Sequence, residues 1–347
     1  MRHLIRRIHG PNNEGILALV LLAVIVAMSI ASPAFFSANT AFSILRSSTV
    51  PMIFALAVLL VIISGGIDVS FPAVAIFSAY AAVSTFLKLG FDPGVPAVFL
   101  AAIAIGAALG AVNGVVIARF RLPTLIVTLG TQGLFIGAMY TFVGSTYYAQ
   151  LPASMASLAT IDVIDFESGR GRAYLHIMVL VAIALTIAIW WMLRGTMFGR
   201  SLYALGGDFE ASRRAGFRVV PTQICLYVLV GMLAAVAGVV HMIMSRSANP
   251  QDLIGGELDI IAAVVLGGAS IFGGRGTVLG TVLGVLLVQT INNSLLLAGV
   301  PSAWLRAAVG ALLVVGVGIQ AIAARRRARR VHTVDESPKP TVKETAS

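Results

Sequence analysis

Cysteine is nearly absent: Cys225 is the single one among 347 residues. A disulfide framework needs pairs and a thiolate metal site needs several ligands, so neither is built here. Charge is also scarce. Asp, Glu, Lys and Arg make up 11% of the chain, whereas hydrophobic residues make up 58%. A soluble domain carries about 25% charged residues, so lipid must solvate most of this chain. Proline (13) is outnumbered by glycine (35), a balance that suits closely packed membrane helices. Catalytic patterns are missing as well. There is no His-Glu-x-x-His, no Gly-x-Ser-x-Gly and no Gly-x4-Gly-Lys-Ser/Thr loop. No catalytic residue, metal ligand set or cofactor site is therefore read, and a membrane enzyme is disfavoured. If ATP drives this chain, another chain binds it.

What is present is a series of apolar runs. A run of about 20 residues spans roughly 30 Å of hydrocarbon at about 1.5 Å per residue. Such runs lie near 15–36, 42–63, 69–87, 96–118, 124–144, 174–193, 222–245, 258–273, 277–298 and 302–323. The third, fifth and eighth are interrupted by glycine, proline or an acid. The expected fold class is all-α, a polytopic membrane protein with about ten transmembrane helices. A cytoplasmic N-terminus (1–14) precedes the transmembrane domain (15–323), and a polar tail expected to be disordered (324–347) follows it. The first run exceeds a signal-peptide core of about 7–15 residues, so it is read as a retained span.

The net charge of +10 could suggest nucleic acid, but its distribution fits membrane orientation better. With the N-terminus inside, only six of the 24 Lys and Arg lie outside: Arg46, Lys88, Arg170, Arg172, Arg246 and Arg306. The positive-inside bias thus predicts ten crossings with both ends cytoplasmic. The longest internal connection is 194–221, and the external loop 145–173 is expected to hold a short surface helix.

Two glycine series suggest an internal repeat. The fourth span carries Gly106, Gly110 and Gly114, and the ninth carries Gly276, Gly280 and Gly284. Both present a small-residue stripe for close helix packing. Gly65-Gly66-Ile67-Asp68 precedes the third span and Gly255-Gly256-Glu257-Leu258-Asp259 precedes the eighth. An offset of five spans makes the repeat an inverted one, relating spans 2–5 to spans 7–10. Chance spacing in glycine-rich helices is the alternative.

Interior polar groups are few and uncharged: Asn113, Thr128, Thr131, Gln132, Gln289, Asn292 and Asn293. This scarcity of ionisable groups argues for an energy source outside the chain. Most of these groups are expected to bond between helices. The candidate solute pathway comprises Asp68, Ser70, Asn113, Thr131, Gln132 and Asn292, with Asp68 able to cap the third span instead. His241 is read as a lone structural histidine. The sharpest feature is cytoplasmic: Tyr203-Ala-Leu-Gly206-Gly207-Asp208, then Glu210-Ala211-Ser212-Arg213-Arg214-Ala215-Gly216. It predicts a short exposed helix with a Glu210–Arg214 ion pair, a small stripe at Ala211 and Ala215, and a stop at Gly216.

That segment resembles the Glu-Ala-Ala-x-x-x-Gly coupling motif of ABC importer permeases, with Ser212 replacing the second alanine. More narrowly, the chain is similar to the ribose/xylose/arabinose/galactose-type sugar permeases over about residues 40–323. The residues carrying this are Gly65-Gly66-Ile67-Asp68-Val69-Ser70, Thr128-Leu129-Gly130-Thr131, Tyr203–Gly207, Glu257–Gly268 and Phe272–Gly276. The resemblance implies a monosaccharide or polyol as substrate and a bacterial inner-membrane location. It also implies a cytoplasmic ATPase with two nucleotide-binding halves, a periplasmic sugar-binding protein, and a second permease copy or paralogue. Tyr203, Gly206, Gly207, Glu210, Ala211, Arg213 and Gly216 would then form the ATPase-coupling loop. Phe71-Pro72 departs from the family's usual Val-Gly. A branched-chain amino-acid permease and an ion-coupled secondary carrier are the alternatives.

Overall fold

The computed structural model describes residues 14–32, 35–168 and 171–297, with isolated positions between 304 and 311. The chain is overwhelmingly helical. Helix α1 spans Glu14–Ala31, α2 Ala38–Ile63, α3 Phe71–Lys88 and α4 Val95–Phe120. Helix α5 (Thr124–Ala138) continues into a π-helical turn at Met139–Val143. After the short α6 (Ala153–Leu158) come strands β1 (Asp162–Ser168) and β2 (Gly171–His176), an antiparallel hairpin. Helices α7 (Met178–Gly195), α8 (Met197–Gly207), α9 (Phe209–Arg214), α10 (Val219–Ser245), α11 (Glu257–Leu266) and α12 (Val278–Leu297) complete the described chain.

Seven helices among the described residues are long and apolar enough to cross a membrane: α2, α3, α4, α5 with its π turn, α7, α10 and α12. The run predicted over 302–323, the first 13 residues and the tail 324–347 lie outside the described residues, apart from isolated positions near 304–311. Several boundaries differ from the sequence reading: the first run, read to 36, ends as helix at Ala31, and the second begins at Ala38 rather than near 42. Strand β2 occupies the start of the sixth run, so α7 begins at Met178 rather than near 174. The eighth run, read as 258–273, is helical only over Glu257–Leu266, because Gly267 and Gly268 close the helix and Gly268 adopts φ +90°. Ten residues rise about 15 Å, half of the hydrocarbon depth. The rest of that path is irregular backbone, which a membrane tolerates only inside protein or beside water.

The loops separate into two groups. At one end, Thr277 Oγ1 donates to Glu14, Tyr203 Oη donates to the Gly276 carbonyl (2.8 Å), and Gly274 N–H donates to the Ile63 carbonyl (2.9 Å). At the other, Lys88 Nζ donates to Val143 O (2.7 Å), Arg46 Nη1 to Tyr174 O (3.2 Å) and Arg246 Nη2 to Ala159 O (3.1 Å). Tyr148 and Ala248 exchange backbone bonds in this second group. The first group holds segments read as internal from the sequence, and the second holds segments read as external.

Helix α10 is the centre of the bundle and packs on α2, α3 and α4. Glycine permits this: Gly106, Gly110 and Gly114 of α4 lie directly on the backbone of α10 at Gly231, Tyr227 and Ile224. The second series behaves differently. Gly280 and Gly284 of α12 meet Gly267 and Ala263, beside and within α11, whereas Gly276 precedes α12 and rests on Leu59 and Ile63 of α2. A side chain at Gly110 would drive into the Tyr227 carbonyl. Gly110→Leu is expected to cost about 1–3 kcal/mol by overpacking. A lowered melting temperature of the detergent-solubilised protein would check this.

Candidate coupling platform and solute pathway

Loop 194–221 is built by capping. Thr196 Oγ1 accepts from Gly199 N–H (3.1 Å) to start α8. Asp208 Oδ1 accepts from Ala211 N–H (2.9 Å) to start α9, a carboxylate placed where unpaired N–H groups point. Gly216 takes φ +88°, its N–H reaching the Arg213 carbonyl (3.1 Å) while Phe217 N–H reaches Ser212 (3.2 Å). That pair of bonds is the Schellman closure, and the left-handed position favours glycine. Glu210 pairs with Arg213 at 2.9 Å, three residues on, rather than with Arg214 as the spacing suggested. Ser212 is buried, while Glu210, Ala211, Arg213, Arg214 and Ala215 are exposed. One side of this loop is thus anchored and the other is open to the solvent.

The anchor is a meeting of glycines. A Cβ on Gly206 would collide with the carbonyl of Ile63 at the end of α2, and would lie 2.6 Å from the nitrogen of Gly274. Gly273, with φ +85°, sits against Gly65 and Gly206, where a Cβ would come within 2.8 Å of the Gly65 Cα. Gly207 lies beside the turn at Gly274 and has open space where its own Cβ would go. Three motifs far apart in sequence therefore converge at one point: Gly65-Gly66, Tyr203–Gly207 and Phe272–Gly276. The segment leading into α9 is thus held by close backbone contacts at the end of α2.

Above this platform lies a buried polar chain. Asp68 Oδ1 accepts from both the N–H and the hydroxyl of Ser70 (2.7 Å each), and Ser70 Oγ accepts from Asn113 Nδ2 (2.8 Å). All three are buried. Asp68 thus braces the entry to α3. Thr124 and Thr128 of α5 accept from the N–H groups of Ile67 (2.9 Å) and Val69 (3.3 Å), satisfying this extended backbone. The remaining candidates lie elsewhere. Thr131 Oγ1 donates to Thr128 O within its own helix, and Gln132 faces Glu257. Asn292 is in α12, its Oδ1 buried without a partner among the described residues. Its neighbour Asn293 bonds Ser43 and Ser47 of α2.

A cavity of about 430 Å³ opens between α2, α3, α10 and α11. Phe54, Phe71, Pro72, His241 and Gly256 line it, with Arg46 and Ser47 at one end. A second, more polar cavity of similar volume shares Arg46, Ser47 and Met244 and reaches Tyr174, His176 and Arg246. His241 is not alone, as the sequence suggested. Its Nε2 lies 3.0 Å from Asp252 Oδ2. That contact forms because the chain turns back after α10, which spacing alone does not reveal. Burial also pushes the His176 imidazole below its usual value, against the hydrogen bond to Ala159. A depressed histidine is stabilising when neutral, so the hairpin junction is expected to weaken as pH falls below about 6.5. Limited proteolysis at the hairpin would follow it, and His176→Gln is expected to remove the pH dependence.

Membrane-length helices, a glycine-jointed loop and two cavities within the bundle are features that a transport subunit would have. The chain matches the family described as the permease component of branched-chain amino acid transport systems, over residues 40–317, and belongs to that family. It is 36% identical over 285 residues to the ribose import permease protein RbsC of Escherichia coli strain K12, covering 82% of this chain and 86% of that one. It is 32% identical over 306 residues to the autoinducer 2 import system permease protein LsrC of Yersinia pseudotuberculosis serotype O:3 strain YPIII, covering 88% and 84%. No solved structure gives a match. The chain is a multi-pass permease component of an ABC importer, and ATP is hydrolysed on a separate subunit.

Proposed function

We propose that this permease carries a monosaccharide or related polyol into a bacterial cell across the inner membrane. The observation that carries the reading is the glycine meeting at Gly65, Gly206 and Gly273, which joins the exposed α9 to the membrane helices. In this reading α9 seats in a cytoplasmic ATPase with two nucleotide-binding halves. Closure of the ATPase moves Glu210–Gly216, and the platform passes that movement to α2 and the α11–α12 turn. A second permease copy or paralogue completes the passage, and a periplasmic binding protein delivers the solute. Ribose and autoinducer 2 in the names of two relatives support a sugar-like solute.

The two groups of loops support ten crossings with both termini cytoplasmic. Paired packing supports the inverted repeat: α3 lies on α4 as α11 lies on α12, and α10 lies on α4 as α2 lies on α12. The two glycine series have unequal partners, a difference the repeat does not account for. The family's description keeps a branched-chain amino acid as the second reading. Purification with native partners separates them. A co-purifying ATPase and a binding protein that retains a sugar are expected; a binding protein retaining leucine would overturn the solute class.

A further inference from the structure

We propose that Gln132 and Glu257 form a hydroxyl-recognising pair on the wall of a water-filled solute path, formed by α5 and the start of α11. This rests on the functional reading above and adds a site to it.

Gln132 Nε2 donates to Glu257 Oε1 at 2.8 Å, and the same oxygen accepts from Gly255 N–H at 3.1 Å. Gln132 stands eight residues after Thr124 in a 20-residue span, about 12 Å along it and near mid-membrane. Both side chains are half-buried. Glu257 Oε2 and Gln132 Oε1 have no hydrogen-bond partner among the described residues, so the pair keeps unused acceptors.

Among the described residues the space before them is uncovered. Helix α5 buries only Val127, Thr128 and Phe135, while Leu129, one turn from Gln132, is 53% exposed and Leu258 is 65% exposed. A Cβ on Gly255 or Gly256 would meet nothing within 4 Å. An ionisable group at this depth faces protein interior or water rather than lipid. Among the described residues no other element covers it, and the unused acceptors of the pair suit water. The chemistry then selects the solute. A carboxylate oxygen and an amide carbonyl accept from hydroxyls, and the second amide hydrogen is free to donate to one. Leu129 and Leu258 offer apolar surface to carbon–hydrogen faces. Neutral polyhydroxylated solutes match this set, and anions are repelled by Glu257.

Glu257 also reaches back to the N–H of Gly255, which is a capping role. The two roles separate by experiment, using the permease reconstituted with its ATPase and binding protein. Glu257→Gln retains the cap but loses charge. It is expected to raise KM for the transported sugar at least tenfold and to alter selectivity between that sugar and its deoxy analogues. ATPase stimulation by the loaded binding protein should persist, and Glu257→Asp should restore part of the selectivity. In a Cys225→Ser background, Leu129→Cys and Leu258→Cys should react with a membrane-impermeant methanethiosulfonate. The sugar should slow that reaction, and Ile187→Cys on α7 should stay unreactive. Unchanged KM and selectivity in Glu257→Gln would overturn the proposal. So would unreactive Leu129→Cys and Leu258→Cys. If the Cys225→Ser parent takes up no hydroxylated solute at all, the functional reading fails first, and this site with it.

Discussion

Gly206→Ala is expected to abolish ATP-driven uptake while Gly207→Ala leaves it near normal. The two glycines are adjacent, and helix propensity favours alanine equally at both. They differ in what a methyl group would meet. At position 206 it would press on the Ile63 carbonyl and the Gly274 nitrogen, and at position 207 it finds open space. Overpacking of this kind costs about 1–3 kcal/mol, and the strain falls on the joint between α8 and α2. The protein should still insert and bind its ATPase, because α9 is untouched. ATPase stimulation by the loaded binding protein should disappear with uptake. Equal effects of the two substitutions would show that the glycine meeting does not transmit movement.

Reversing the charge of Glu210 should be as damaging for a different reason. The Glu210–Arg213 pair is exposed, and such pairs contribute roughly 0–1 kcal/mol, so Glu210→Lys should leave the fold intact. It would, however, place a third cation beside Arg213 and Arg214 on the open face of α9. Loss of ATPase co-purification, with unchanged insertion and melting temperature, is the expected result. Gly216→Val should act on the same face by another route, because φ +88° costs a β-branched residue about 1–2 kcal/mol or more. Normal uptake in both variants would sink the coupling role of α9.

The sequence made much of this legible, for identifiable reasons. Apolar length and Lys/Arg asymmetry are summed over many residues, so the separation of loops survived errors at individual boundaries. Caps are local, which is why Gly216 was readable as a helix stop. Asp208 carried an equally local signal, an acid three residues before Ala211, and could have been found. The hairpin also had a signal: Ile164-Asp165-Phe166-Glu167 alternates before Gly169 and Gly171. The half-length α11 was harder. An apolar run continues through Gly267-Gly268-Ala269-Ser270-Ile271-Phe272, and hydropathy does not distinguish a buried turn from a helix. Gln132 and Glu257 lie 125 residues apart, so nothing in spacing joins them. In the proposal above, that pair would add a charged group to an interior read as uncharged. Glu257 looked like an edge residue because the start of its helix was placed at the membrane boundary.

The most direct test of the central account is solute uptake by proteoliposomes containing this permease, its ATPase and its binding protein. Uptake of labelled sugar that requires internal-leaflet ATP hydrolysis and the binding protein, and persists when ion gradients are collapsed, is the predicted result. Uptake by the permease alone, driven by a proton or sodium gradient without ATP, would contradict it.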